Sequence, residues 1–216
     1  MVDKIVVCVV SSEKTYNNLD YYCFDSFFLQ GRKLVDVALV FNGKPDYIPR
    51  SVYITKPNYI WVRPNLGLDP GGFNFLISNI PQYKYYLLLH DDHHFADGNW
   101  AENFYGLVKT NPNIHVWGNL FSTKLDAFKT IRLFNEFLDY RTEIDKFTHF
   151  IQGYAGLYKN EVIKSLLENN NGITTTDLSD SFICQCLERY HSYFLYKNGF
   201  IFGQIPPGYE KYLLHK

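Results

Sequence analysis

The segment YKYYLLLHDDHHFADG, residues 83–98, runs an aliphatic stretch straight into His90, Asp91, Asp92, His93 and His94. Adjacent carboxylates repel one another unless something positive sits between them, so an acid pair at the end of a strand calls for a cation. Two hard oxygen ligands beside imidazoles suit Mg²⁺ or Mn²⁺ better than zinc, which prefers more His and Cys. An ion held there would offset the charge of a diphosphate as it leaves. The ligands are either Asp91 with Asp92 or Asp92 with His93, since His94 alternates away from His93. The plain alternative is a solvated turn that closes a strand.

Such a pair acts only if the rest of the chain holds it at a ligand-binding edge. KIVVCVVSS is a continuous β-branched run, the mark of a strand buried on both faces. Tyr16, Leu19, Cys23, Phe24, Phe27 and Phe28 recur at helical spacing, with Gly31 as a stop. KLVDVALVFNGKPD predicts a second strand and turn, and NYIWVRP a third. Pro70 opens a short helix with Leu76, Ile77 and Ile80 on its inner face, closed by Pro81. The segment with the acid pair supplies the fourth strand. Trp100, Phe104, Leu107 and Val108 mark a helix, and IHVWGNLF a further strand.

In the second half, TKLDAFKTIRLFNEFLDY reads as helix and THFIQGYAGLYKN as strand and turn. NEVIKSLLENNNG reads as a helix capped by Asn160 with Gly172 past its end. SDSFICQCLERY is another helix, and SYFLYKNGFIF holds short strands. Alternating strands and helices over the first 120 residues predict an α/β fold, a mostly parallel central sheet with helices on both faces. No repeat or linker divides the chain, so residues 1–216 are expected to form one domain. Ligands of open α/β sheets bind beyond the carboxyl ends of the strands, and Asp91 and Asp92 lie there.

Composition narrows the chemistry. A net charge of −1 leaves no basic footprint for nucleic acid. No stretch is long and apolar enough for a membrane span, and the N-terminal apolar run is too short for a signal peptide. Four cysteines, Cys8, Cys23, Cys184 and Cys186, make no disulfide framework and read as reduced thiols in a cytoplasmic protein. The turn SSEKTYNN has no glycine, which argues against a dinucleotide fingerprint, and neither a phosphate loop nor a nucleophile elbow occurs. Aromatic residues make up 18% of the chain. Most must be core, with Tyr154 and Trp117 as possible stacking platforms for a sugar or base.

YYLLLHDDHHF resembles the acidic metal-binding (DXD) motif of GT-A-fold glycosyltransferases, whose sheet is Rossmann-like. RPNLGLDPGGFNFLI is similar to the element these enzymes carry just upstream. IQGYAGLYKNEVI resembles their acceptor-side glycine element, and TTDLSDSFICQCLERYHSYFLYKNGF their late acidic helix. Together these span residues 1 to about 205 in the family's order. More loosely, the chain resembles the N-terminal glycosyltransferase domain of chlorella-virus capsid-decorating enzymes. In three places it departs from the pattern, one being that Phe73, not the usual Arg, precedes Asn74. His90 stands where the motif's first acid would, and the base-contacting acid after the second strand is replaced by Asn42 and a displaced Asp46.

The resemblance implies a metal-dependent transfer of a hexose or deoxyhexose from a nucleoside diphosphate sugar, with UDP the expected nucleotide, to a hydroxyl on a glycan or glycoprotein. It implies donor contacts from Ser11, Asn42, Asn65, Asp69, Asn74 and Asp91, with Asp69 and Asn74 on the sugar hydroxyls. Asp92, Asp91 and His93 would hold Mn²⁺ or Mg²⁺, and Gly153, Tyr154 and Gly156 would face the acceptor. Asp180 or Asp177 would serve as base in an inverting enzyme; the viral likeness leans toward retention and, with it, the host cytoplasm. His191 and His215 are candidate third ligands, each otherwise an ordinary surface histidine. Two other readings stand beside this one. One is a metal-dependent phosphoesterase built on HDDHH with ligands such as His115, Asp126 or His149. The other is a nucleotide-sugar-binding module without turnover.

Overall fold

The computed structural model describes residues 1–95, 97–124, 147–170, 172–173 and 181–205, with residues 170 and 181–185 described by backbone alone. In chain order the elements are β1 (Val2–Ser12), a π-helical turn (Leu19–Cys23), α1 (Ser26–Gly31), β2 (Asp36–Asn42), α2 (Arg50–Thr55), β3 (Tyr59–Arg63) and α3 (Leu68–Asn79). They continue with β4 (Tyr83–His90), α4 (Trp100–Thr110), β5 (Val116–Ser122), β6 (His149–Lys159), α5 (Asn160–Asn170), α6 (Ser181–Lys197) and β7 (Phe202–Gln204).

The strands form one seven-stranded sheet in the order β3-β2-β1-β4-β6-β5-β7. β1, β2, β3 and β4 run parallel, β6 is antiparallel to both β4 and β5, and β7 is parallel to β5. β1 shows why its sequence is a continuous apolar run. Ile5, Val7 and Val9 enter the core on one face, while Val6, Cys8 and Val10 enter the core on the other. Burying each such side chain contributes roughly 1.5–3 kcal/mol before entropy is subtracted. The first core lies beneath α1, α2 and α4 through Phe28, Val52, Trp100 and Phe104. The second lies beneath α3, α5 and α6 through Phe73, Leu76, Ile163, Leu166 and Leu195. The expected mostly parallel α/β sheet with helices on both faces is therefore what the chain adopts.

Three local expectations change. The Tyr16–Phe28 periodicity is not one helix. Asp25 interrupts it, leaving the helical path to accept a hydrogen bond from the Phe28 N–H at 2.8 Å and start α1 afresh. SYFLYK is helix rather than strand, because Leu187, His191 and Leu195 continue the buried stripe of α6 at four-residue steps until Gly199 turns left-handed. α2, which has no strong periodicity, was not evident in the sequence. The helix expected over TKLDAFKTIRLFNEFLDY lies almost wholly outside the described residues. Cys8 and Cys23 are buried free thiols, and Cys186 is buried. Among the described residues no helix is long and apolar enough to cross a membrane.

Candidate nucleotide-sugar site

From β1 the chain steps to β2 on one side and returns to β4 on the other, so the topological switch point lies between β1 and β4. A cleft of about 330 Å³ opens there, within the range of small-molecule sites. Its walls are the end of β1 with the loop after it (Ser12, Lys14, Thr15, Asn18) and the approach to α3 with its first turn (Asn65, Leu68, Asp69). Its floor is Val10 with His90, Asp91 and Asp92.

The two adjacent acids have different surroundings. Asp91 is buried, and its Oδ2 accepts hydrogen bonds from the hydroxyls of Ser11 at 2.5 Å and Thr15 at 2.6 Å, while Oδ1 accepts from the Asn18 amide at 3.2 Å. Burial pushes its carboxyl up, the three hydrogen bonds pull it down, and the charge of Asp92 adds to the rise; the balance is upward. Asp91 thus holds the β1 loop in place. Asp92 keeps 19% of its side chain exposed to the cleft, with Oδ1 at 3.3 Å from His93 Nδ1. His93 is buried, its ring stacked on that of His90 and its Nδ1 at 3.1 Å from the His90 backbone nitrogen.

His90 occupies the place of the motif's first acid and does a different job. Its Nε2 lies 2.5 Å from the Gly153 carbonyl, an acceptor only, so that nitrogen carries a proton. Its Nδ1 lies 2.8 Å from Asp69 Oδ2. Burial lowers the imidazole's affinity for a second proton; Asp69, the Gly153 carbonyl and Asp92 raise it, and the sum lifts its pKa to about 9. The His90 ring therefore joins the first turn of α3 to β6. The carbonyl it reaches is presented by a kink: Gly153 and Tyr154 are consecutive left-handed residues at φ 59° and 61°. Such strain in a non-glycine residue persists where surrounding contacts enforce it.

The other expected site residues fall into three groups. Asn65 and Asp69 line the cleft with Asp91 and Asp92. Ser11 is buried behind the cleft on Asp91, and Asn42 is buried with its amide engaged, donating to the Leu68 carbonyl at 2.8 Å and accepting from Arg63 at 2.6 Å. Asn74 pairs with the backbone of Ile173. Tyr154 is buried with its ring against His191, and Trp117 is core. A Cβ on Gly156 would stand 2.4 Å from the Trp117 carbonyl, so glycine permits the close approach of β5 and β6. Asp177, Asp180, Asp126 and His215 lie outside the described residues.

His191 is neither a surface residue nor part of the cleft wall. It is fully buried on α6 with Nε2 at 3.3 Å from the Tyr158 hydroxyl, and burial drives its pKa down to about 3. Lys14, Thr15 and Asn18 were not singled out in the sequence. The signal was available, since they follow directly on a doubly buried strand, where lysine, hydroxyl and amide side chains reach the ligand edge.

Among the described residues, no three His, Cys, Asp or Glu side chains gather into a metal cage. The donor set nevertheless fits a hard cation. Mg²⁺ and its like are commonly bound through one or two carboxylates plus substrate phosphates, and Asp92 and Asp69 are both among the residues that line the cleft.

No protein-family model and no curated protein matches the chain. Solved structures do match in three dimensions. The mannosyltransferase PcManGT from Pyrobaculum calidifontis, in complex with GDP-Man and Mn²⁺, aligns with TM-score 0.62 at 12% identity, covering 96% of this chain and 56% of that one. S. aureus TarS 1-349 in complex with UDP-GlcNAc aligns with TM-score 0.54 at 11% identity, covering 99% and 62%. CMP-2-keto-3-deoxy-manno-octonic acid synthetase complexed with CTP aligns with TM-score 0.52 at 11% identity, covering 94% and 90%. The fold is thus that of GT-A-type glycosyltransferases. The chain spans little more than half the length of the mannosyltransferase, and at these identities the likeness is one of fold.

Proposed function

We propose that the chain is a metal-dependent glycosyltransferase that moves a sugar from a nucleoside diphosphate sugar, a UDP-sugar first among them, to a hydroxyl of a glycan or glycoprotein acceptor. The observation that carries this reading is the cleft at the switch point, where Lys14, Asp69 and Asp92 meet in one space. Nucleotide sugars in the fold neighbours, GDP-Man in one and UDP-GlcNAc in another, support it. The synthetase with CTP shows that the fold also serves other nucleotide chemistry, so the donor must be identified directly.

In this reading Asp92 is the carboxylate for Mn²⁺ or Mg²⁺, which would offset charge on the leaving diphosphate. Asp91 and His93, its partners in the sequence reading, hold the floor from behind. Lys14 faces the phosphates as the protein's own cation, and Asp69, oriented by His90, accepts hydrogen bonds from the donor sugar. Asn65 lies beside it on the same wall. The acceptor enters from the side of Gly153. Its oxygen bonds to the anomeric carbon, the carbon–oxygen bond to the diphosphate breaks, and the electron pair departs with the diphosphate. In an inverting reaction the acceptor's proton passes to Asp180 or Asp177. The viral likeness favours retention instead, with the host cytoplasm as the place of action; product stereochemistry decides that point.

A thermal-shift series with nucleotide sugars, with and without Mn²⁺, tests the donor, because a ligand bound to the native state raises the melting temperature. The expected result is a metal-dependent rise with a UDP-sugar. No rise with any nucleotide sugar would overturn the reading. The phosphoesterase alternative loses ground because both ring nitrogens of His90 are engaged by Asp69 and Gly153, and His115 instead accepts from the Ile201 N–H.

A further inference from the structure

The backbone of the α3 wall is held independently of its side chains. The Asn42 amide donates to the Leu68 carbonyl at 2.8 Å. A Cβ on Gly72 would stand 2.7 Å from a methyl carbon of Val10, so glycine lets α3 lie directly against β1. What remains to be fixed is the side chain of Asp69, which lines the cleft and is 44% exposed. An aspartate that exposed ordinarily samples several rotamers. Here its Oδ2 lies 2.8 Å from His90 Nδ1, while no hydrogen bond among the described residues reaches its Oδ1.

The ring that holds Asp69 is itself tightly held. It is buried, stacks on His93 with centroids 5.3 Å apart, and crosses the Phe73 ring nearly at right angles at 5.4 Å. Its Nε2 lies 2.5 Å from the Gly153 carbonyl. The direction of that carbonyl is fixed in turn, because the next residue, left-handed Tyr154, accepts from the Tyr158 hydroxyl at 2.8 Å. A carboxylate at position 90 would set acceptor against acceptor on both sides, against Asp69 and against Gly153. An imidazole, with one nitrogen toward each, joins them.

We infer that His90 is a positioning residue that sets the selectivity for the donor sugar by holding Asp69 in one rotamer. This rests on the glycosyltransferase reading proposed above. The diphosphate of a nucleotide sugar is anionic, so it suits Lys14 and a cation on Asp92, whereas the carboxylate of Asp69 suits neutral hydroxyls. A carboxylate fixed in direction accepts from a hydroxyl of one configuration and leaves its epimer unpaired. A carboxylate free to turn follows either epimer, at an entropic cost to both.

Binding without acceptor tests this, with UDP, UDP-glucose, UDP-galactose and UDP-GlcNAc titrated in the presence of Mn²⁺. The wild type is expected to discriminate among the three sugars. His90→Gln places an amide within reach of the Gly153 carbonyl but not of Asp69. In that variant and in Asp69→Ala the preferred sugar should weaken on the order of 10-fold, and UDP, which also reports that the variant is folded, should stay within about twofold. His90→Asn, whose amide stands in the place of Nδ1, should keep most of the discrimination. The double variant His90→Gln/Asp69→Ala should bind no more weakly than Asp69→Ala alone, since two groups acting through one contact are not additive. Wild-type selectivity in His90→Gln would overturn the inference, as would losses that add in the double variant or fall equally on UDP. Wild-type binding of all three sugars alike would overturn this inference alone; binding of none would overturn the donor reading with it.

Discussion

The two walls of the cleft are held by opposite means. The wall after β1 hangs on one charge: Ser11, Thr15 and Asn18 all converge on the buried carboxylate of Asp91. The α3 wall is held by separate contacts, with Asn42 on the Leu68 carbonyl, Arg63 on the Leu66 carbonyl and His90 on Asp69. A hub concentrates risk, because removing its centre strands several buried partners together. A distributed wall loses one contact at a time. Asp92 lines the same cleft beside His93.

The largest expected effect separates function from both walls. Asp92→Asn should lower metal-stimulated transfer by roughly 10²-fold or more, as loss of a charge-stabilising group does, with little change in melting temperature. Wild-type turnover in that variant would remove Asp92 from the metal.

Next in size is the hub itself. Asp91→Ala leaves three donors without their acceptor, and a hydrogen bond to a charged group contributes about 1.5–3 kcal/mol. The expected result is a loss of several kcal/mol in urea unfolding, far more than for His93→Ala. Should the two variants unfold alike, with metal affinity lost only in Asp91→Ala, Asp91 would be a ligand rather than an anchor.

A smaller loss is expected in the α3 wall. Asn42→Ala strands the Leu68 carbonyl and one arm of Arg63, a cost of about 1–3 kcal/mol, and donor affinity should weaken as Asp69 loses its support. An equal loss in Asn42→Ala and Asp91→Ala would end the distinction between hub and distributed wall.

The smallest effect lies away from the cleft and serves as its control. His191 has a pKa pushed down to about 3 by burial, against an ordinary value near 6.5. Between those values the unfolded chain binds a proton that the native state refuses. Stability is therefore full above pH 6.5 and falls as pH drops below it, by at most about 1.4 kcal/mol per pH unit. Unfolding measured from pH 6.5 to 5 should show that slope, and His191→Phe should flatten it. A slope unchanged in the variant would assign it to other groups.

The sequence alone determined the elements whose side chains repeat with a period that water imposes. Ile5–Val10 could be read as doubly buried because every position is apolar, and α4 because Trp100, Phe104 and Val108 share a face. Asp91 and Asp92 could be placed at the ligand edge because an apolar strand ends there. What the sequence could not apportion was the work of neighbouring polar residues. Asp91 and Asp92 are the same residue type in adjacent positions, and only the arrival of Ser11 from β1 and of Thr15 and Asn18 from the loop after it turns one inward as an anchor. Asn74 reads as a ligand contact until Ile173, 99 residues on, takes both ends of its amide. His90 reads as a missing acid until Asp69 and Gly153 supply a partner for each ring nitrogen. Apolar burial is a local pattern along the chain, whereas a polar side chain's role depends on which distant partner satisfies it, and that pairing exists only once the sheet is assembled.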